Sequence, residues 1–232
     1  PSTGLPTKTE QSDLNIAIFG RHGEGTIPVI AAKTPSDCFD TAIEAVRIAM
    51  KYVMPVMVLT DGYLANGAEP WKLPDVASLK PIEVKTPTAH DDFQPYSRDP
   101  ETLARPWAIP GTPGLEHRIG GLEKQHITGN VSYDPGNHEF MCKLRQEKVD
   151  RVAADIPDVE VYGDTEGTLV LSWGGTYGSV RSAVDAARGS GLVVGHVHLR
   201  WLNPLPSNLE SVCSQFDHAL IAELNLGQLH KY

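Results

Sequence analysis

The chain has 232 residues, 41% of them hydrophobic and 21% charged, which is enough apolar side chain to bury a core and excludes global disorder. Its formal charge is −9 and its 20 basic residues form no cluster, which excludes the electrostatic footprint of a nucleic-acid binder. Cys38, Cys142 and Cys213 lie far apart and are too few for a disulfide framework or an ordinary four-cysteine iron–sulfur cluster, so a reduced, cytoplasmic chain is expected.

No apolar run reaches the length of a membrane span, and no signal peptide precedes the first strand. The chain opens on Pro1 rather than Met and stops at Tyr232 just after a strand, so both ends read as cut. In chain order, Thr9 to Asp13 offer capping residues ahead of Leu14, Ile16, Ala17 and Phe19, which predicts a short helix. Ile27 to Ala32 is an apolar run suited to a buried strand. Thr34-Pro35-Ser36-Asp37 then combines a cap, a proline at the first helical position and an acid. Beyond it Phe39, Ala42, Ile43, Val46 and Ala49 share one helical face. Asp37, Asp40 and Glu44 lead and Arg47 and Lys51 trail, as the helix dipole prefers. Pro55 to Thr60 reads as a second buried strand, and strand, helix and strand imply a parallel βαβ unit. Asp61 to Asn66 is then a loop at the carboxyl end of a strand, where such sheets build their sites.

Residues 68–140 differ in kind, holding ten of the 18 prolines with few sustained patterns. Trp71, Phe93, Tyr96, Trp107 and Tyr133 argue against a disordered linker and for an ordered, irregular excursion that packs on something. Leu144 to Ile156 reads as a helix. An α/β pattern resumes with a strand over Thr168 to Trp173, a tight turn over Gly174 to Gly178, and a helix carrying Val180, Ala183, Val184 and Ala187. A strand from Leu192 to Leu199, a capped helix from Ser207 to Phe216 and a strand from Ala219 to Leu224 complete a second parallel unit. The fold class is therefore α/β, built from two parallel-sheet units.

The motifs are weak taken singly. Trp173 to Gly178 lies between strand and helix, where its amides could face an anion, but it is not G-x-G-x-x-G and reads first as a structural turn. His196 and His198 share a strand face with no evident third metal ligand, and with His117, His126 and His138 they read as ordinary polar residues. Asp61-Gly62 faintly echoes the start of a thiamine-diphosphate metal site, but Thr60 replaces its first glycine and no asparagine pair follows. Two α/β units without a self-sufficient active site suggest a subunit completed by a neighbour.

Ten segments spread over nearly the whole chain then carry a resemblance. They include PSTGLPTKTEQSD at Pro1, GRHGE at Gly20, SDCFDTAIEAVR at Ser36, LTDGYLANG at Leu59, LSWGGTY at Leu171 and ELNLGQL at Glu223. In these the chain resembles the α subunit of 2-oxoacid:ferredoxin oxidoreductases, most closely the 2-oxoglutarate type. The resemblance implies a fragment lacking its N-terminal part and extreme C-terminus. It implies that residues 1–157 are the later part of a pyrimidine-binding-type thiamine-enzyme domain, including the excursion 68–140. Residues 158–232 then resemble a transketolase-C-terminal-like domain.

The activity implied is oxidative decarboxylation of 2-oxoglutarate with coenzyme A to succinyl-CoA and CO2, reducing ferredoxin. Thiamine diphosphate is the electron sink, and an iron–sulfur cluster removes the electrons singly. Thiamine diphosphate, Mg2+ and the [4Fe-4S] cluster are implied to be held mainly by a partner β subunit, in a cytoplasmic hetero-oligomer that meets no nucleic acid or membrane. The family's catalytic glutamate and substrate-carboxylate arginine match no position in this chain, so no catalytic residue is carried over. The arginine's hydroxyl partner matches Thr7, with Thr3 as a further substrate-binding candidate and Arg21 and His22 in a loop facing the site. Two alternatives stand beside this reading: the same chemistry on pyruvate or branched 2-oxoacids, and a non-catalytic assembly or binding subunit built from the same domains.

Overall fold

The computed structural model describes residues 9–88 and 92–232. The first helix forms as expected, α1 at Leu14–Phe19, with Leu14, Ala17 and Ile18 buried. Asp13 makes no side-chain cap; its carbonyl instead accepts from the Ala17 amide at 2.9 Å. Strands β1 (Val29–Ala31) and β2 (Met57–Leu59) pair in parallel, with Val29 opposite Met57, and α2 (Asp37–Tyr52) crosses between them.

The buried face of α2 differs from the expected one. Asp37, Thr41, Ala45, Ile48 and Tyr52 point inward, while Ala42 and Val46 are exposed. Polar side chains decide this orientation because each finds a partner on the inside. Asp37 pairs with Arg200 at 3.0 Å, Thr41 accepts from the same guanidinium at 2.9 Å, and the Tyr52 hydroxyl donates to Asp155 at 2.8 Å. Burial, helped by the hydrogen bond to Asp155, raises the Tyr52 phenol well above its ordinary range. Strand β2 was expected to be buried, yet Met57 and Val58 are exposed, β2 being the edge strand of the order β2-β1-β6.

Asp61 caps a short helix, α3 (Gly62–Asn66), where a loop was expected. Residues 68–134 then contain, among those described, one 3-10 turn at Val76–Ser78 and isolated bridges Tyr96↔Ile127 and Lys124↔Val131. Local side-chain bonds hold the rest. Asp99 accepts from the Glu101 and Thr102 amides at 3.0 and 2.8 Å, and Lys124 donates to the Gly120 carbonyl at 3.0 Å. Trp71 packs on Phe39 with ring centroids 5.6 Å apart, so the excursion covers part of the outer face of α2.

Helix α4 (Pro135–Asp150) starts well before the expected Leu144, since Asp134 accepts from the Asn137 amide at 2.9 Å and Pro135 takes the first turn. A 3-10 turn, Arg151–Asp155, completes it.

The second sheet comprises β3 (Tyr162–Gly163), β4 (Thr168–Trp173), β5 (Val194–Leu199) and, leaving β6 (Trp201–Asn203) for the first sheet, β7 (His218–Ala222), in the order β3-β5-β4-β7. β4 is parallel to both β5 and β7, with α5 (Tyr177–Gly189) and α6 (Leu209–Cys213) as the connecting helices. Each sheet also carries an antiparallel strand, which departs from the purely parallel expectation. β3 pairs antiparallel with β5, and β6 (Trp201–Asn203) crosses over to pair antiparallel with β1. Strands of two or three residues carry no readable period, so neither was legible. A final helix, α7 (Gln228–Lys231), follows β7.

One apolar cluster runs through both sheets. Leu14, Val29 and Ala31 meet Leu169, Trp173, Leu199 and Leu202. Each such large side chain contributes about 1.5–3 kcal/mol on burial, so the two units stabilise each other. Among the described residues, no helix is long and apolar enough to cross a membrane.

Candidate functional site

The carboxyl ends of β2 and β4 meet at a polar seam. Asp61 Oδ1 accepts from the Leu64 amide at 3.0 Å, capping α3, while Oδ2 accepts from the Gly175 amide at 2.8 Å. Buried Gln11 closes the same seam. Its Nε2 donates to the Trp173 carbonyl at 2.7 Å, and its Oε1 accepts from the Leu224 amide at 2.9 Å. Glycine is required here on both counts. Gly174 sits at φ +60°, and a Cβ on Gly175 would lie 2.4 Å from Asp61 Oδ2. The glycine-rich turn therefore already faces an anion, and that anion is the chain's own Asp61.

His196 and His198 also face this end of the sheet, and they are more than ordinary polar residues. Ser172 Oγ lies 2.8 Å from His196 Nε2 and 2.8 Å from His198 Nδ1, so one hydroxyl bridges two imidazoles across β4 and β5. Burial, with Arg181 nearby, lowers the His196 imidazole to about 4. Burial, then the charges of His196, Lys33 and Arg200, lowers His198 to about 3. Both rings are thus neutral at physiological pH and belong to the packed sheet.

The candidate site itself is a cavity of about 720 Å3 between the end of α1, the loop after it, α4 and β6. Its lining includes Phe19, Arg21, Cys142, Gln146, Asn203 and Tyr232. Asn203 is fixed by donating to the Ile27 carbonyl at 2.7 Å and accepting from the Tyr232 hydroxyl at 3.1 Å. Tyr232 in turn meets Phe19 edge-on, with centroids 5.8 Å apart.

Arg21 lines this cavity, but its guanidinium is turned onto backbone. It donates to the Ala17, Ile18 and Gly25 carbonyls, closing the end of α1 and pinning the loop. His22 is the next residue on that loop and is exposed. Thr3 and Thr7 lie outside the described residues. Of the two described candidates, Arg21 lines the cavity and shapes the loop, whereas His22 is not among the lining residues.

A further group on the cavity was not singled out in the sequence. Cys142 Sγ accepts from Arg145 at 3.1 Å and lies 3.7 Å from His138 Nε2, while Glu123 bonds both His138 and Arg145. Burial works against ionisation of Glu123, but His138 and Arg145 outweigh it and hold the carboxyl below its ordinary range. The available signal was Asp134-Pro135, the start of α4, which puts His138 and Cys142 on one helical face. Chemically, the cavity offers amide and phenol hydrogen-bonding groups fixed by packing, with a thiol, an imidazole and a guanidinium grouped at its edge.

Residues 1–132, more than half of the chain, match the family described as "Pyruvate flavodoxin/ferredoxin oxidoreductase, thiamine diP-bdg". The chain is 53% identical, over 99% of its length, to 2-oxoglutarate oxidoreductase subunit KorA of Mycobacterium tuberculosis, of which it covers 35%. It is 32% identical, over its whole length, to 2-oxoacid:ferredoxin oxidoreductase 1, subunit alpha, of Aeropyrum pernix, of which it covers 37%. Its fold superposes with a TM-score of 0.89 and 33% identity on 2-oxoglutarate:ferredoxin oxidoreductase from Magnetococcus marinus, solved with 2-oxoglutarate, coenzyme A and succinyl-CoA bound, covering 41% of that chain. The chain thus spans roughly a third of the curated relatives named here. On these matches it belongs to the thiamine-diphosphate-binding pyruvate flavodoxin/ferredoxin oxidoreductase family.

Proposed function

We propose that this chain is part of the α subunit of a 2-oxoacid:ferredoxin oxidoreductase that oxidatively decarboxylates 2-oxoglutarate with coenzyme A. Succinyl-CoA and CO2 are the products, and ferredoxin takes the electrons. The observation that carries the reading is its whole-length similarity to a 2-oxoglutarate oxidoreductase subunit, with the same fold as an enzyme of that substrate. In this reading the domain boundary lies near 157/158, and β6 reaches back across it to join the first sheet.

Thiamine diphosphate is what the matched family binds, and when bound it supplies the electron sink for decarboxylation. The described residues do not fit its metal–diphosphate end, because both oxygens of Asp61, the one residue echoing that motif, are engaged by the Leu64 and Gly175 amides. We therefore assign Mg2+, the diphosphate contacts and the [4Fe-4S] cluster to a β subunit of the assembled, cytoplasmic enzyme. Exposed apolar residues along the excursion, such as Leu73, Ile119 and Tyr133, support assembly with other chains.

This chain's share of the work is binding and orientation. Thr7, with Thr3, takes the substrate carboxylate by hydroxyl hydrogen bonds, and the Arg21–His22 loop forms the adjoining wall. The test is a ferredoxin-reduction assay of the assembled enzyme with 2-oxoglutarate, pyruvate and branched 2-oxoacids in turn. A hydrogen bond to a charged group is worth about 1.5–3 kcal/mol, so Thr7→Val should lower kcat/KM for 2-oxoglutarate roughly tenfold to a hundredfold. Preference for pyruvate or a branched 2-oxoacid would move the substrate assignment. No turnover of any 2-oxoacid would overturn the enzyme reading.

A further inference from the structure

Helix α4 carries a thiol among groups suited to nucleophilic chemistry, and the reading above uses none of them. His138, Cys142 and Arg145 follow one another at helical spacings of four and three, so their side chains share one face. Glu123 reaches that face from the excursion. Its segment is held there by Asn137, which accepts from the His126 amide at 3.0 Å and donates to the Lys124 carbonyl at 3.1 Å. The Ser132 amide donates to the Glu123 carbonyl at 3.1 Å and fixes the backbone that carries the carboxylate.

The contacts within this group place its protons. The Glu123 carboxylate accepts, so in the neutral ring of His138 the hydrogen sits on Nδ1, which faces it. Nε2 then presents its lone pair to the Cys142 thiol, 3.7 Å away. From the other side the Arg145 guanidinium donates to Sγ at 3.1 Å, and its second arm meets Glu123 at 3.3 Å. A nucleophile, a base in reach of it and a third group orienting that base make the arrangement of an activated thiol. The guanidinium adds a cation where charge develops on sulfur as the proton leaves.

The other two cysteines lack this setting. Cys38 donates to the Thr34 carbonyl at 3.5 Å, and burial, then the adjacent Asp37, pushes its thiol up. Cys213 packs against the main apolar cluster, and burial pushes it up as well. Cys142 is half-buried and lines the cavity of about 720 Å3 with Phe19, Gln146 and Tyr232. That volume lies within the about 300–1,000 Å3 of small-molecule pockets. Neither Cys38 nor Cys213 lines the cavity, so a second sulfur reaching Cys142 there comes from outside.

We propose that Cys142 is a modification site, forming a mixed disulfide with a low-molecular-weight disulfide that enters this cavity. His138 Nε2 takes the thiol proton as Sγ attacks one sulfur of the incoming molecule. A new S–S bond forms, the incoming S–S bond breaks, and the departing thiolate takes the proton back from His138. One thiol and one disulfide are consumed and one of each is produced, so the step needs no further oxidant. The assignment goes beyond the catalytic reading and does not depend on it, because the adduct is read by mass rather than by turnover.

The experiment is incubation of the intact enzyme with glutathione disulfide at pH 7, followed by peptide mapping of Cys38, Cys142 and Cys213 by mass spectrometry over time. We expect Cys142 to gain the adduct at least about tenfold faster than the other two, and dithiothreitol to release it. His138→Gln and Arg145→Gln should each slow the addition about tenfold, as expected for loss of one hydrogen-bonded partner, and Cys142→Ser should abolish it. A thiol reacting through exposure alone would keep its rate in the His138 and Arg145 variants. The comparison among the three cysteines needs no substitution, so it holds even where a variant fails to fold. Cys142 reacting no faster than Cys38 and Cys213, or at a rate indifferent to both substitutions, would overturn the proposal.

Discussion

From Thr168 to Ser172, β4 is paired residue by residue with β5 on one side and β7 on the other, whereas the whole of 68–134 makes two isolated bridges among its described residues. Both regions are ordered, by different means. The sheet satisfies its backbone through its neighbours and buries Leu169, Leu171 and Val197 behind that ladder. The excursion relies on side chains that return to nearby backbone, as Asp99 and Lys124 do, and it leaves Leu73, Ile119 and Tyr133 in solvent. The difference teaches where each region tolerates change. A close-packed ladder has no room for an added atom, while a segment stabilised bond by bond absorbs one.

Gly195 is the sharpest place to test this. A Cβ there would lie 2.3 Å from the Asp164 carbonyl and 2.8 Å from the Phe216 ring. Gly195→Ala should therefore destabilise the protein by about 3 kcal/mol, the upper range for overpacking, as read by urea unfolding. A midpoint unchanged from wild type would mean that the sheet is looser than its geometry.

The seam comes next. Asp61→Ala leaves the Gly175 and Leu64 amides without their carboxylate, at a cost of about 2 kcal/mol. Asp61→Asn keeps one acceptor and should recover part of that loss. If both substitutions were neutral, the two units would hold together through their apolar cluster alone.

Acid should weaken the sheet through its two buried histidines. The imidazoles of His196 and His198 stand at about 4 and about 3 in the folded chain, against an ordinary value of 6.5. As pH falls below 6.5, the unfolded chain binds these protons first, so their contribution to stability is complete above 6.5 and declines toward 3. Melting temperature should drop steadily between pH 7 and about 4, and His196→Gln should flatten the slope. A profile identical in the variant would show that carboxylates elsewhere govern it.

The smallest effect belongs to the excursion. A Cβ on Gly121 meets nothing within 4 Å, and its backbone does not require glycine. Gly121→Ala should stay within about 0.5 kcal/mol of wild type, or stabilise slightly by restricting the unfolded chain. A loss matching that of Gly195→Ala would erase the distinction between the regions.

Some of this molecule was legible one window at a time. Thr168–Trp173 is a strand at its expected bounds, and α1, α2 and α5 form in the segments where helices were expected. Those features depend on neighbours within a few residues, where periodicity and capping act. The family resemblance was legible for a similar reason, since it is carried by contiguous motifs, and of its described candidates Arg21 lines the cavity. What only tertiary structure decided involves partners distant in sequence. Asp61 meets Gly175 from 114 positions away, and Gln11 meets Trp173 from 162. The inward face of α2 follows Arg200 and Asp155 rather than the helix's own apolar count. Likewise β6 is a strand because β1 is there to receive it. A buried polar group is stable only where a partner replaces water, and no local pattern states which distant residue that partner will be.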